Sequence, residues 1–361
     1  MAHFRDAYAK IRLDYLKDNV NLLYQKVEKP MMAIIKANAY GHGYQQVADV
    51  LKDHEHIAMF GVATLKEAID LRKLGVKQDI LVLGAIPLED VDLTVLYNIT
   101  LTVFSLDYVA KIATYHQKSL EPIKVHLKID TGMNRLGMKS REEFMTFMEE
   151  YPQDIIQIEG IFTHFATADE PSKDDEYHKQ IEMFYQIIEG YPFKYIHCQN
   201  SAAMMYHHDN RSNLARIGIA MYGVAPNGED NPDLKQVMSL YARVVMIKKV
   251  PQGEKIGYGM TYTTSEDEYI ATLPIGYADG FIRANQGRHV YINGKLYPIV
   301  GRVCMDQMMV KVDETVQVQD EVEIFGEHIT LCQMAKELDT IPYEITCLIA
   351  ERIERDYIDE L

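Results

Sequence analysis

The 361-residue chain has no tryptophan and only four cysteines, Cys198, Cys304, Cys332 and Cys347, with no CxxC pair among them. That spacing argues against a disulfide framework or a thiolate zinc site, and fits reduced thiols in a cytoplasmic protein. Positive charge is scarce too: 37 Lys and Arg stand against 53 Asp and Glu, for a formal net charge of −16. Such a balance disfavours sequence-independent binding to nucleic acid or to an anionic membrane, so an anionic ligand has to be held by a local cluster of donors. No apolar run is long enough to span a bilayer. Residues 1–15 carry His3, Arg5, Asp6, Lys10, Arg12 and Asp14, leaving no apolar core for a secretory signal. A GxGxxG fingerprint is absent, which removes the usual mark of a doubly wound dinucleotide-binding sheet.

What is present is a 47% apolar content, enough for a large core and two domains. Eight short apolar runs, at 31–35, 58–63, 80–83, 100–104, 123–129, 158–162, 195–198 and 214–219, have the length and composition of strands. Amphipathic stretches between them, such as 65–74, 142–151 and 176–189, suit crossover helices. Eight β/α units predict an α/β fold, a closed (β/α)8 barrel of the TIM type. From about residue 234 the texture changes to runs at 241–250, 269–273, 290–299 with Asn293-Gly294, 308–312 and 321–325, a mainly β pattern. Pro226, Asn227, Gly228, Asn231 and Pro232 disfavour helix and strand and mark the boundary. The expected organisation is therefore a strand within 1–11 that pairs with the C-terminal domain, a barrel over 12–232 and a mainly β domain over 233–361.

The run 31–35 ends in Lys36, followed by Ala-Asn-Ala-Tyr40-Gly41-His-Gly43. A desolvated lysine at the carboxyl end of a barrel strand can form a Schiff base with an aldehyde cofactor, although an isolated strand-end lysine more often reaches solvent. Arg135, His164, Asn200, Ser201, Arg216 and Gly218 also fall at or just beyond strand ends, the rim where barrels carry chemistry. Each has a plain reading: a buried salt bridge for Arg216, a satisfied core histidine for His164, helix capping for Ser201. His54-Glu55-His56 and His207-His208-Asp209 hold metal-donor atoms but lie in polar connections without a further ligand, so no metal is expected.

Taken in order, the segments 36–43 (KANAYGHG), 128–137 (KIDTGMNRLG), 163–169 (THFATAD), 197–201 (HCQNS), 216–223 (RIGIAMYG), 257–262 (GYGMTY), 275–280 (IGYADG), 301–306 (GRVCMD) and the tail at Tyr343-Glu-Ile span nearly the whole chain. In these segments it resembles the bacterial alanine racemases, which use pyridoxal 5′-phosphate (PLP). The resemblance implies a barrel followed by a β domain, and a homodimer with sites shared between subunits. It places the cofactor on Lys36, with Tyr40, Ser201, Gly218, Ile219 and Tyr343 at phosphate-holding positions, Asn200 and His164 beside the cofactor, and Arg216 at the pyridine nitrogen. An arginine, with a pKa above ~12, cannot protonate that nitrogen, which suits racemisation over transamination. Two acid/base groups must flank the cofactor plane. The resemblance supplies Lys36 and, from the other subunit, Tyr258, here preceded by Gly257 where the family often has serine. Arg135 and the amide of Met305 would take the substrate carboxylate, with Lys128, frequently carbamylated in the family, orienting Arg135. Asp169, Tyr262, Tyr277, Arg283, Arg302 and Asp306 match the entryway to a site for a small amino acid. The implied reaction is L-/D-alanine interconversion, supplying D-alanine for peptidoglycan. A serine or broader racemase, a same-fold decarboxylase and a non-enzymatic PLP carrier are the alternatives, the last two opposed by Arg216 and by Tyr258 respectively.

Overall fold

The computed structural model describes residues 5–117 and 119–360; residues 1–4 of the expected N-terminal strand lie outside the described residues. The chain forms two compact units, one of Asn19–Ala39 and Tyr44–Met221, the other of the segment up to Asp18, Tyr40–Gly43 and the chain from Tyr222 onward. Among the described residues no helix is long and apolar enough to cross a membrane.

After β1 (Ala7–Arg12), which belongs to the second unit, the first unit is built on β2 (Met31–Ile34), β3 (Ile57–Val62), β4 (Asp79–Val82), β5 (Thr100–Val103), β6 (Ile123–Lys128), β7 (Ile156–Phe162), β8 (Tyr195–His197) and β9 (Ala215–Ile217). All eight pair in parallel in the order β8-β7-β6-β5-β4-β3-β2-β9, so the expected eight-stranded barrel is present. Its strands are largely apolar because they are covered on both faces: every residue of β2, β5 and β9 is buried. The crossover helices bury one stripe each. Leu65–Lys73 turns Ala68 and Leu71 inward and starts with a Thr64/Glu67 capping box, while Arg141–Glu150 buries Phe144 and Phe147 and is capped by Ser140.

The first and last strands in that order, β8 and β9, meet without a regular ladder. Backbone bonds from Asn213 N to Ile196 O and from Arg216 N to Gln199 O, both 3.0 Å, join them. Beside this seam the buried carboxylate of Asp209 accepts from Tyr185 OH at 2.7 Å, Cys198 Sγ at 3.2 Å and Ser212 N at 3.2 Å. Lys29 Nζ reaches Gln199 Oε1 at 3.0 Å and Ser212 Oγ at 3.2 Å, and also bonds Asp209 O. Burial alone would raise the Asp209 pKa, but its donors outweigh that and hold it below the usual carboxylate range. The same burial pushes the Cys198 thiol up to about 12.

The second unit carries β10 (Met238–Arg243), β11 (Met246–Val250), β12 (Lys255–Ile256), β13 (Tyr262–Thr263), β14 (Glu268–Leu273), β15 (His289–Ile292), β16 (Lys295–Val300), β17 (Met308–Val312), β18 (Glu321–Phe325) and β19 (Glu354–Ile358). All but β12 and β13 join β1 in one sheet of order β11-β14-β17-β16-β15-β18-β10-β1-β19. There β1 lies antiparallel to β10 and parallel to β19. Asn293 and Gly294 turn the β15–β16 hairpin at φ 47° and 87°, the left-handed pair that a two-residue turn of this kind requires. The single run expected at 241–250 is instead two strands. Val244 N bonds Asp320 O while its neighbour Val245 N bonds Thr272 O, so the chain changes partners between two valines that hydropathy cannot tell apart.

Asp209→Asn keeps the side-chain shape but presents an NH2 where donors converge. A stability loss of about 1–3 kcal/mol is expected in urea denaturation at pH 7. A carboxyl depressed in the native state contributes its stability above the unfolded pKa of ~4 and loses it as pH falls through the native value, so wild type and variant should converge in acid. Equal midpoints at pH 7 would contradict this role.

Candidate active site

Lys36 follows β2 at the carboxyl end of the barrel. The amides flanking it are both anchored: Ile35 N donates to Gly61 O at 3.0 Å and Ala37 N to Glu67 Oε1 at 2.7 Å. The next four residues are left-handed, with φ of 52°, 54°, 54° and 53° at Ala37, Asn38, Ala39 and Tyr40. For L-residues this costs roughly 1–2 kcal/mol each, a strain that persists only where surrounding contacts over-determine it. Asn38 Oδ1 accepts Tyr44 N at 2.9 Å, and Ala39 N bonds Ile35 O at 3.0 Å.

At the ends of β7, β8 and β9 lies a buried cation with no carboxylate among its recorded partners. Arg216, 4% exposed, donates through Nη1 to His197 O at 2.6 Å and through Nη2 to Thr163 O at 2.8 Å and Cys198 O at 3.2 Å. Burial lowers its pKa to about 10, which leaves it charged at neutrality. Nη1 also lies 3.0 Å from His197 Nδ1, and Nη2 lies 3.4 Å from His164 Nδ1. A guanidinium can only donate, so His197 Nδ1 is the acceptor and its proton sits on Nε2, which meets His126 Nδ1 at 2.9 Å. His126 therefore carries its own proton on Nε2. Burial followed by the Arg216 charge holds the His164 and His197 pKa values well below the usual imidazole range, and burial brings His126 down to about 3. The ring of His126 fits against Gly160, where a Cβ would come within 2.8 Å of it.

Lys128, at the end of β6, is the second buried cation. Its Nζ donates to Ile129 O at 2.8 Å and lies 5.1 Å from the centre of the Phe162 ring, which Arg216 also approaches at 5.5 Å. Burial, then the charge of Arg216, brings its pKa down to about 7, with Asp130 opposing and Arg135 adding the smallest push. Exposed Arg135 sits on the loop after β6, which Asp130 folds by accepting Gly132 N and Asn134 N, each at 3.0 Å. Asp169 is half-buried on the loop after β7.

The helix Ser201–Tyr206 corrects one expectation: its cap is Asn200, whose Oδ1 accepts Ala203 N at 2.9 Å, and Ser201 is the first helical residue. Freed from capping, the buried Ser201 Oγ accepts Gly218 N at 2.9 Å, and Ile219 is buried just beyond. Thus Lys36, Lys128, Arg135, His164 and Arg216 share one electrostatic neighbourhood, and the Ser201–Gly218 bond joins the helix after β8 to the residue directly after β9, the strand that carries Arg216.

The remaining candidates lie in the second unit. Tyr40 is buried, its ring 5.0 Å from Tyr222 and 5.8 Å from Tyr343, and burial raises its pKa so that the phenol stays a donor. Tyr258 is 71% exposed. It stands between Gly257 and Gly259, both at φ 73°; Gly257 combines this with ψ −174°, a conformation essentially restricted to glycine. Tyr262 OH donates to Glu268 at 2.7 Å. Tyr277 N and Ala278 N bond Cys304 O and Met305 O, each at 3.0 Å, tying together the loops that carry Tyr277 and Met305. Asp306 pairs with Arg352 at 2.5 Å; Arg283 is exposed and Arg302 half-buried. His197, His126 and Glu67 received no role from the sequence, although a histidine inside an apolar strand such as 123–128 is a visible anomaly.

Residues 11–226 match the model of the alanine racemase N-terminal domain and residues 237–357 that of the C-terminal domain. An alanine racemase of Halalkalibacterium halodurans is 42% identical over 379 residues, covering 99% of this chain and 96% of the relative. The crystal structure of alanine racemase from E. faecalis superposes with a TM-score of 0.93 at 37% identity, covering 99% of this chain and all of that one. A histidine racemase from Leuconostoc mesenteroides gives a TM-score of 0.89 at 31% identity, with 99% coverage of each chain.

The depressed Lys128 amine has a stability signature. Between about 7 and ~10.4, the value of a free lysine, the unfolded chain binds more protons at this position than the native one, so the contribution of Lys128 to stability rises with pH. Denaturation in bicarbonate-free buffer should show that slope, and Lys128→Met should remove it. A variant with an unchanged slope would show that Lys128 is not desolvated.

Proposed function

Because the chain belongs to the alanine racemase family and is an isomerase, we propose that it interconverts L- and D-alanine with PLP held at Lys36, and with Lys36 and Tyr258 as the two acid/base groups. The observation that carries this reading is the buried Arg216, whose recorded partners are carbonyls and neutral imidazoles. A floor of that kind suits an electron-rich, anionic planar ligand and offers its ring nitrogen no acid. The donor set supports the fit: Ser201 Oγ, engaged as an acceptor, keeps a hydrogen to donate; by the family resemblance Gly218, Ile219, Tyr40 and Tyr343 would also hold the phosphate, and Asn200 and His164 would contact the cofactor.

When bound, PLP supplies an electron sink that acidifies the substrate α C–H. Lys36 Nζ takes or returns the proton on one face and Tyr258 Oη on the other. At the ring nitrogen of a bound cofactor Arg216 would donate a hydrogen bond but no proton, which would favour prompt return of the substrate proton over transamination. Arg135 and the Met305 amide hold the substrate carboxylate. An amine with a pKa near 7 has a substantial unprotonated fraction at neutrality, the form that carbon dioxide carbamylates. Carbamylated Lys128 would turn a repulsive cation into an anion that orients Arg135. Asp169, Tyr262, Tyr277, Arg283, Arg302 and Asp306 frame the entry for a small amino acid.

The proposed assembly is a cytoplasmic homodimer in which the partner subunit's Tyr258 serves the Lys36 of the first, and its product is D-alanine for peptidoglycan. Support comes from the exposed Tyr258, Met260 and Met305, at 71%, 64% and 53%, large apolar groups that a partner would cover. The likeness to a histidine racemase at 31% identity keeps a broader amino-acid range as the second reading.

Lys36→Ala and Tyr258→Ala should each be inactive in converting L-alanine to D-alanine. Unfolded and refolded together in equal amounts with PLP, they should form hybrids as about half of all dimers, each with one intact site, and recover roughly a quarter of wild-type activity. Hybrids confirmed by differently tagged chains but no more active than the parents would place both bases on one chain, or show one to be misassigned.

A further inference from the structure

Glu67 is half-buried at the start of the helix Leu65–Lys73. Its Oε2 accepts Thr64 N at 3.1 Å and Ala63 N at 2.8 Å, which a capping box alone explains. The other oxygen does something a box does not require. Oε1 accepts Ala37 N, thirty residues earlier in the chain, at 2.7 Å, the short distance of a charge-assisted bond. Ala37 opens the left-handed turn, and its amide is one of the first-turn donors that no intrahelical carbonyl can reach.

We propose that Glu67 is a positioning residue for Lys36: its carboxylate fastens the strained turn to the junction between β3 and the following helix, and so fixes the backbone from which the lysine amine projects. Two points define that backbone. On one side Ile35 N is tied to Gly61 O of β3, and on the other Ala37 N is tied to Glu67, whose second oxygen holds the amides directly after β3. Lys36 is thus pinned on both flanks to one rigid strand–helix corner. Glu67 and Asn38, whose side chain closes the far end of the turn onto Tyr44 N at 2.9 Å, line one cleft with Ile35 and Tyr44. Four successive left-handed L-residues do not hold themselves; a carboxylate bridging both segments supplies the restraint. The consequence for catalysis rests on Lys36 being the cofactor lysine, whereas the restraint on the turn does not.

The test compares full-length, PLP-loaded wild type with Glu67→Gln, Glu67→Asp and Thr64→Ala. Glu67→Gln replaces one acceptor oxygen by a donor NH2 and cannot satisfy both sides. Glu67→Asp, a methylene shorter, can still accept at the cap but does not span to Ala37. Thr64→Ala weakens the cap while leaving Glu67 in place. Both Glu67 variants are expected to speed hydrogen exchange in peptides covering residues 36–40 by about tenfold or more, and to lower kcat by about tenfold with KM within about twofold, since a small misplacement of a reacting group acts on turnover. Thr64→Ala should lower the melting temperature comparably but leave exchange at 36–40 and kcat at wild-type values. If the Glu67 variants exchange and turn over as Thr64→Ala does, Glu67 is a helix cap only and the proposal is wrong. A Lys36→Ala control separates the two layers: a borohydride-fixed cofactor adduct at normal yield in that variant would overturn the lysine assignment, while the exchange comparison would still decide whether Glu67 holds the turn.

Discussion

A charged guanidinium in the interior of a barrel, held by the carbonyls of Thr163, His197 and Cys198, governs the chemistry available around it. Burying a cation without a counter-ion is costly unless its donors are satisfied and a ligand supplies negative charge. Arg216 meets the first condition with the carbonyl oxygens of these strand ends. The second is what a barrel mouth is suited to supply. Its field also fixes neighbouring protons: His197 must present a bare Nδ1, and through it His126 must do the same. The three imidazoles of this region are therefore neutral at ordinary pH.

Position matters as much as charge. A lysine on a flexible loop would sample many directions, whereas Lys36 is set between two tethered amides and followed by a turn that L-residues adopt only under restraint. The same logic applies at the seam, where β8 and β9 lack a full ladder and the Asp209 cluster ties the ends that carry Cys198 and Gln199 to the loop entering β9. Rigid elements deliver the reactive groups, and buried polar contacts secure the places where regular pairing stops.

The parallel strands were legible because burial on both faces writes them as mainly apolar runs, and each of the eight starts within two residues of its expected start. The hairpin at Asn293-Gly294 was legible from turn chemistry. Other features were not. Val244 and Val245 hide a change of sheet partner; β19, Glu354–Ile358, is half-buried throughout and has no alternation to reveal it. Asn200 and Ser201 are both good caps, and only geometry decides between them. The left-handed turn is invisible in Lys-Ala-Asn-Ala-Tyr, which has no glycine or proline. Glu67 shows in sequence as the fourth residue of a capping box, but its bond to Ala37 is a fact of tertiary structure. Lys36 and Arg216 could be picked out as candidates by their places at strand ends; their roles came from the family resemblance, and the neutral imidazoles behind Arg216 came from the structure.

The central claim, that a buried Arg216 dictates the protonation of the imidazoles around it, is open to direct measurement. Selective 15N-histidine labelling of the PLP-loaded protein, with assignments from His126→Asn, His164→Asn and His197→Asn, reports the state of each ring nitrogen. The account predicts that His197 and His126 keep a bare Nδ1 and a protonated Nε2, without titrating, from about pH 5 to pH 9, a window that brackets the free-imidazole value of ~6.5. A His197 that titrates near that value, or that carries its proton on Nδ1, would contradict it.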